Sequence, residues 1–427
     1  MNATLPHAWR ALTLATLAFA ANFSVWTLYA VLAIDFQDKL NLTATELGIL
    51  LSAPILSGAL LRFPLGIVSE YQSPRTLWLW QMLLTIPALL LLPLVASFHG
   101  LFWLGLWIGI SGVSFTFGIR YVTDWFSREQ QGLALGIFGA GNAGAAISLI
   151  LLPLLVQWQG WAWTGPVYAG GMLLMLLLFA GLAPKRPDYL PAFRPGWREQ
   201  LRPLRQLQVW RFGLYYYFVF GSFLALILWL PQYYMQAYHL ELQQAMAFTL
   251  FFVATSSMAR ALGGWFSDRY GGRAVNWSVF WVCLVCLFFL SYPPTTMTIH
   301  GLEKDVELTI EINLWLFTAL IFIIGVAQGF GRASVYKIIH DNYPQQMGSV
   351  GGTVAALGAL GGCTLPIAFG AAQDALGIAS ASFMVLYAVL ALCMTMMFFA
   401  IRSEQLQKQL QAALASDFFK DTDDANH

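Results

Sequence analysis

Gly264-Trp265-Phe266-Ser267-Asp268-Arg269-Tyr270-Gly271-Gly272-Arg273 is the stretch on which the reading of the whole chain turns. It interrupts two apolar runs, at about 246–266 and 275–293, each long enough to cross a bilayer. A degraded copy stands 198 residues upstream as Gly66-Ile67-Val68-Ser69-Glu70-Tyr71-Gln72-Ser73-Pro74-Arg75. Each copy is preceded, four residues before its first glycine, by an arginine inside an apolar run: Arg62 in the first and Arg260 in the second. The chain therefore reads as two repeats of one helical unit, each with the motif after its second helix.

The composition agrees. Of 427 residues, 58% are apolar and only 10% charged, where an ordinary soluble domain carries about 25% charge. Mean hydropathy is +0.65. The apolar runs are continuous, not alternating, which fits spanning helices and excludes both a soluble globule and a membrane barrel. Twelve spans are expected, at about 11–34, 47–68, 76–97, 101–123, 132–156, 163–183, 212–235, 246–266, 275–293, 313–336, 350–372 and 379–401. The fold class is thus an all-α polytopic membrane protein. The first run lacks a small-residue cleavage pattern behind it and reads as a span, not a signal peptide. A net charge of +1 leaves no basic field for nucleic acid.

Residues 184–211 hold Lys185, Arg186, Arg194, Arg198, Arg202, Arg205 and Arg211 against Asp188 and Glu199. Basic connections stay in the cytoplasm, so this linker and, by alternation, both termini are expected inside. Of the 22 Lys and Arg, 18 fall on that side, Lys39 and Lys304 lie outside, and Arg62 and Arg260 lie within spans. The connection at 294–312, with Glu303, Asp305, Glu307 and Glu311, suits the outer face. The expected organisation is a six-helix half at 1–183, the linker at 184–211, a second half at 212–401, and a polar cytoplasmic helix fading into an acidic tail at 402–427.

Arg62 and Arg260 carry the functional reading. A charge at a helix centre costs about 2.5–3.5 kcal/mol on insertion scales. Each arginine lies about 10 Å by helical rise from its expected helix end, so snorkelling is the bland alternative. Against it, Gly58 and Gly66 flank Arg62 one turn away, and Ser256 and Gly264 flank Arg260. Small residues mark a face packed on other helices. The 21 acids fall in connections, termini or helix ends, so two buried guanidinium groups lack a carboxylate partner within the membrane. A bound anion supplies one best, and a planar oxyanion fits the guanidinium fork.

Two glycine-rich stretches open the fifth helix of each half. Residues 132–146 contain Gly139, Gly141, Asn142 and Gly144, and residues 348–362 contain Gly358, Gly361 and Gly362. Gly139-x-Gly141-x-x-Gly144 has dinucleotide spacing, but no strand precedes it and no acid follows at the required distance. Close helix packing and gating explain the glycines. Asn142, an amide in an apolar helix, needs a hydrogen-bonding partner. Cys283-Leu284-Val285-Cys286 lies mid-span without a second pair and reads as two small apolar residues. The six histidines are in connections or near helix ends, so no metal site and no cofactor are expected.

The loop motif is that of the major facilitator superfamily, which the chain resembles along its whole length. The resemblance implies two pseudo-symmetric six-helix halves related by an axis along the membrane normal. Within it, Ser57-Gly58-Ala59-Leu60-Leu61-Arg62-Phe63-Pro64, Ala259-Arg260-Ala261-Leu262-Gly263-Gly264 and the two glycine stretches resemble the nitrate/nitrite porter family. By that resemblance Arg62 and Arg260 would clamp nitrate or nitrite. Phe115, in Gly112-Val113-Ser114-Phe115, would cover the anion from helix four and Phe220 from helix seven, with Asn142 also in the set. Tyr216 would be a hydroxyl donor, an assignment that neighbouring Tyr215 and Tyr217 leave open by one residue. Gly264, Asp268, Arg269 and Arg273 form the cytoplasmic loop motif. The chain departs from the family in Glu70, which stands for Asp, and in a first signature short of its fuller glycine run.

The expected function is secondary transport of nitrate or nitrite by alternating access, as a monomer in a bacterial inner membrane, with exchange the favoured mode. It is not expected to be an enzyme. The rival readings are a proton-coupled nitrate symporter, a facilitator for another small anion such as a carboxylate, and a sensor that binds nitrate without moving it.

Overall fold

The computed structural model describes residues 7–29, 32, 36, 40, 44–185, 202–300 and 305–424. Among them lie twelve long helical segments: α1 Ala8–Trp26, α2 Ala44–Tyr71, α3 Pro74–Leu94, α4 Phe98–Thr123, α5 Gln131–Val156 and α6 Trp161–Leu182, then α7 Leu207–Tyr238, α8 Leu242–Tyr270, α9 Gly272–Leu290, α10 Leu314–Asn342, α11 Met347–Leu376 and α12 Ala381–Asp424. Eleven of these, α2 to α12, are long and apolar enough to cross a membrane. The first expected span is helical from Ala8 to Trp26, while positions 30, 31, 33 and 34 of it lie outside the described residues. So do Lys39, Glu303, Lys304 and, in the linker, Arg186, Asp188, Arg194, Arg198 and Glu199.

Three boundaries differ from the sequence expectation. Helix α10 continues to Asn342, six residues past the expected end at 336, because Lys337, His340 and Asp341 stop the apolar run without stopping the backbone. Helix α12 runs on through Asp424, so most of the expected tail is its direct continuation. The connection at 294–312 is not a plain loop: β1 Thr295–His300 pairs antiparallel with β2 Asp305–Ile310, with Thr295 opposite Ile310 and His300 opposite Asp305. Its β-branched residues favour extended backbone.

Helices from either side of the linker interlock along two glycine seams near the end of the bundle that carries the Gly264–Arg273 loop. A Cβ on Gly66 of α2 would lie 2.4 Å from Gly348 O of α11, and one on Gly264 of α8 would lie 2.1 Å from Gly132 O of α5. Only backbone-to-backbone contact fits there. Each seam ends in an acid that caps the opposing helix. Asp268 accepts from Gly132 N at 2.9 Å and Leu133 N at 2.7 Å and pairs with Lys337 at 3.1 Å. Glu70 accepts from Gly348 N at 2.5 Å and pairs with Arg120 at 3.3 Å. The residue that departs from the family motif thus makes the symmetry-related contact: a carboxylate on the positive end of a facing helix. Arg269 stacks on Trp265 and Tyr270, and Arg273 faces the cleft that Arg211 also lines.

Three spans depart from α-helical winding in mid-helix. Gly109–Val113 in α4 and Ala140–Ala143 in α5 are tight 3-10 turns, and Tyr217–Gly221 in α7 is a wide π turn. Such irregular turns free backbone groups and re-aim side chains, and they concentrate at functional sites.

Candidate anion-binding site

Both sequence-selected arginines are buried, Arg62 at 0% and Arg260 at 1% exposure. Helices α2 and α8 extend to Tyr71 and Tyr270, which puts each guanidinium-bearing residue roughly 14–15 Å from its helix end. Both guanidinium groups are enclosed by neighbouring helices and reach no helix end, so snorkelling is excluded. The 3-10 turn of α4 presents Gly112 O to Arg62 Nε at 2.9 Å, and α11 presents Ala355 O to Arg62 Nη1 at 3.1 Å. Arg260 donates from Nη1 to Gly139 O at 3.3 Å and from Nη2 to the Tyr216 hydroxyl at 3.4 Å. Each arginine therefore reaches across to a helix from the other side of the linker. Arg62 Nη2 and Arg260 Nε remain buried without a partner. A buried cationic N–H left unpaired is costly, and an anionic acceptor relieves it.

Aromatic rings connect the two. Phe115 has the Arg260 guanidinium 5.0 Å from its ring centre and that of Arg62 at 5.6 Å. Phe220 lies 5.6 Å from Arg62. The Phe115 and Phe220 rings are near-parallel, 12° apart with centres separated by 6.2 Å. Two rings holding a flat anion between them need about 7 Å, twice an ordinary contact distance, so a small parting opens a slot. Tyr216 stacks on both rings. Its neighbours point elsewhere, Tyr215 onto Phe280 and Tyr217 to Thr364.

Asn142 sits on the 3-10 turn of α5 and is fully buried. With its amide oriented by its partners, the oxygen accepts from Arg260 Nη1 at 2.9 Å and from Arg332 Nη1 at 2.7 Å. The structure thus gathers Arg62, Phe115, Asn142, Tyr216, Phe220 and Arg260 around one point.

The glycines of the two stretches have distinct neighbours. A Cβ on Gly139 would lie 2.1 Å from Arg260 Nε, and one on Gly358 would lie 2.3 Å from the Tyr216 ring. Gly141 and Gly144 let α1 approach at Thr16 and Ala20, Gly361 meets Gly221, and Gly362 meets Leu224. Only Gly139 and Gly358 touch the clustered side chains. Gly139→Ala is therefore expected to fold, because what must give way is the Arg260 side chain and not a backbone. A displacement of about 1 Å at a positioned group costs on the order of a hundredfold. Anion affinity should fall by that order while the melting temperature stays near that of the wild type; an unchanged affinity would show that Arg260 has room to spare.

The structure adds residues that the sequence reading leaves out. Arg332 of α10 is fully buried, which corrects the expectation of two membrane arginines to three. A span ending at 336 places it near a helix end, but the helix continues about ten residues beyond it. The run Gly329-Phe330-Gly331-Arg332-Ala333-Ser334 carried the same small-residue signal. Trp26 covers Arg62 at 4.6 Å, stacks near-parallel to Phe220, and donates to Pro54 O at 2.7 Å. Gly58 and Gly112 both give way to its ring. It separates Arg62 from a cleft lined by Tyr29, Ile55, Leu224 and Ile227. Nothing in the sequence distinguished it among 17 tryptophans.

Among the described residues Glu70 is the buried carboxylate, and it is engaged with Arg120 and Gly348. No group of three or more His, Cys, Asp or Glu capable of holding a metal occurs among them.

Residues 14–366 match the profile described as Major Facilitator Superfamily. The chain is 34% identical to the "Probable nitrate/nitrite antiporter NarK1" of Thermus thermophilus, over 97% of this chain and 96% of that protein. This chain belongs to the nitrate/nitrite porter family of the major facilitator superfamily. It is also 27% identical to the "Nitrite extrusion protein" of Bacillus subtilis (strain 168), over 88% of this chain and 90% of that one. The crystal structure of the human organic anion transporter MFSD10 (TETRAN) superposes with a TM-score of 0.70 over 92% of this chain and 100% of that chain, at 17% identity, which shows the shared fold. As a member of this porter family the chain is a multi-pass membrane transporter, and its closed glycine seams place one end of the bundle in tight contact.

Proposed function

We propose that this chain carries nitrate and nitrite across the cytoplasmic membrane of a bacterium by alternating access, with Arg62 and Arg260 as the clamp. The supporting observation is that two arginines from equivalent helices keep unpartnered buried donors, Arg62 Nη2 and Arg260 Nε, beside stacked Phe115 and Phe220. The relatives named for nitrate and nitrite point to the same substrates. Phe115 and Phe220 are the walls of the slot, and Tyr216 and Asn142 supply neutral donors. The halves at 1–183 and 212–401 rock about this site. The Gly264–Arg273 end and both termini lie in the cytoplasm, on the basic-linker argument, so the glycine seams close the inner side and Trp26 faces the outer cleft. The protein works as a monomer, without cofactor, and catalyses no covalent reaction.

Counterflow in proteoliposomes tests this reading. Vesicles preloaded with nitrate should accumulate labelled nitrite, and external nitrate should compete far better than sulfate or phosphate, because a slot between two rings admits a planar ion and excludes a tetrahedral one. Equal competition by sulfate would remove the slot. Counterflow of a small carboxylate with indifference to nitrate would point to the other facilitator, and no counterflow at all to a sensor.

A further inference from the structure

We propose that Arg332 is a positioning residue of the anion site, acting through Asn142; this rests on the anion-carrier reading above. Each of its three guanidinium nitrogens is engaged. Nε donates to Gln328 O at 3.3 Å, Nη2 to Ser256 O at 2.9 Å and Ser256 Oγ at 2.7 Å, and Nη1 to the Asn142 oxygen at 2.7 Å. The guanidinium lies flat on Phe223, 3.8 Å from its ring centre. Arg62 and Arg260 each keep a buried nitrogen without a partner, whereas every nitrogen of Arg332 has one. It is built to hold other groups, not to take a ligand itself.

What it holds is the site. Ser256 lies one turn before Arg260 on α8. Gln328, whose backbone takes Nε, donates from its side chain to Ser222 Oγ at 2.7 Å, two residues beyond Phe220 on α7. Asn142 reaches from α5 and gives one oxygen to both Arg260 and Arg332. An unrestrained carboxamide presents its oxygen or its nitrogen with similar ease. With the oxygen held by two cations, the NH2 end is the one left for a ligand, and an NH2 serves an anion while a carbonyl repels it. Arg332 thereby decides which end of Asn142 the anion meets, and it fixes where Arg260 rests.

A lysine cannot reproduce this. Its single nitrogen is a compact point donor without the planar fork that reaches Ser256, Gln328 and Asn142 together. Nitrate affinity of the full-length protein in detergent is to be measured by calorimetry with potassium nitrate, for wild type, Arg332→Lys, Asn142→Ala and the double variant. Arg332→Lys should weaken binding by roughly tenfold to a hundredfold, the worth of a charge-assisted hydrogen bond. In counterflow the loss should fall on KM, with the maximal rate little changed. Asn142→Ala should weaken binding comparably, and the double variant should bind no worse than Asn142→Ala alone, because both lesions act through one amide. Multiplying losses, or Arg332→Lys with wild-type affinity, overturn the positioning role. Should Arg332→Lys fail to fold, Ser256→Ala removes one hydrogen bond from Arg332 and leaves its charge; a smaller loss, absent on the Asn142→Ala background, is expected, and wild-type affinity overturns the role. Wild-type protein that binds neither nitrate nor nitrite overturns this inference together with the carrier reading, whereas normal wild-type binding with an unaffected Arg332→Lys overturns this inference alone.

Discussion

Proteoliposomes carrying Arg62→Lys or Arg260→Lys are expected to exchange nitrate roughly a hundredfold more slowly than wild type, or worse. The charge survives in both variants, so the loss measures geometry. Arg62 uses Nε on Gly112 O and Nη1 on Ala355 O, and its flat face rests on Trp26, which leaves Nη2 for a ligand. A lysine ammonium is a compact point donor that cannot reach two fixed carbonyls on different helices and a third acceptor, and it does not stack. A hydrogen bond to a charged group contributes about 1.5–3 kcal/mol, and about 1.4 kcal/mol is tenfold, so one or two lost contacts account for the predicted range. Arg260→Lys should be the more severe, because Asn142, Gly139 O and Tyr216 all lose the same partner. Initial counterflow rates at matched reconstitution provide the check. A lysine variant working at the wild-type rate would reduce the clamp to a point charge.

The reasons these particular residues were legible in the sequence are physical. A charge within an apolar run is conspicuous because a bilayer penalises it, and flanking Gly58, Gly66, Ser256 and Gly264 marked the face on which it is buried. Arg332 escaped because the apolar run ended before the helix did: Lys337 and His340 looked like the close of a span, yet α10 continues past them. Hydropathy locates the hydrocarbon, not the end of the backbone hydrogen-bonding. Trp26 and Tyr336, which packs edge-on against both Phe115 and Tyr216, were hidden for another reason. Aromatic residues make up 15% of the chain, and most only pack or anchor. The turns at Gly109–Val113, Ala140–Ala143 and Tyr217–Gly221 lay in apolar runs whose winding carries no compositional mark, although they aim Gly112 O, Asn142 and Phe220. The helical class and the spans were readable from solvent physics, and the arginine pair from its cost. The contacts that connect the pair were readable only in three dimensions.

Nitrate uptake is expected to require nitrite or nitrate inside the vesicle and to move no net charge. Three arginines share the buried region, linked through Asn142 and Phe115, where the sequence showed two. A monovalent anion lowers that local charge from about +3 to about +2, so the empty carrier is the more strongly charged form. Closing over it brings like charges together in a low-dielectric interior, which should hold the empty carrier back and make the return step depend on a second anion. The membrane potential acts in the same direction. Importing a lone anion into a negative interior costs about 2.3 kcal/mol per 100 mV, whereas swapping two monovalent anions costs nothing. Proton symport would avoid that cost, but it needs a titratable group on the pathway. Among the described residues the buried Glu70 and His340 lie in the last turns of α2 and α10, roughly 12 Å along the helix from Arg62 and Arg332. The decisive measurement uses vesicles with and without internal nitrite, with external pH and membrane potential set separately. Exchange predicts uptake only in loaded vesicles, at a rate indifferent to the potential. Uptake into anion-free vesicles driven by an inward proton gradient would make the protein a symporter and would direct attention to Glu70 and His340 as the groups that carry the proton.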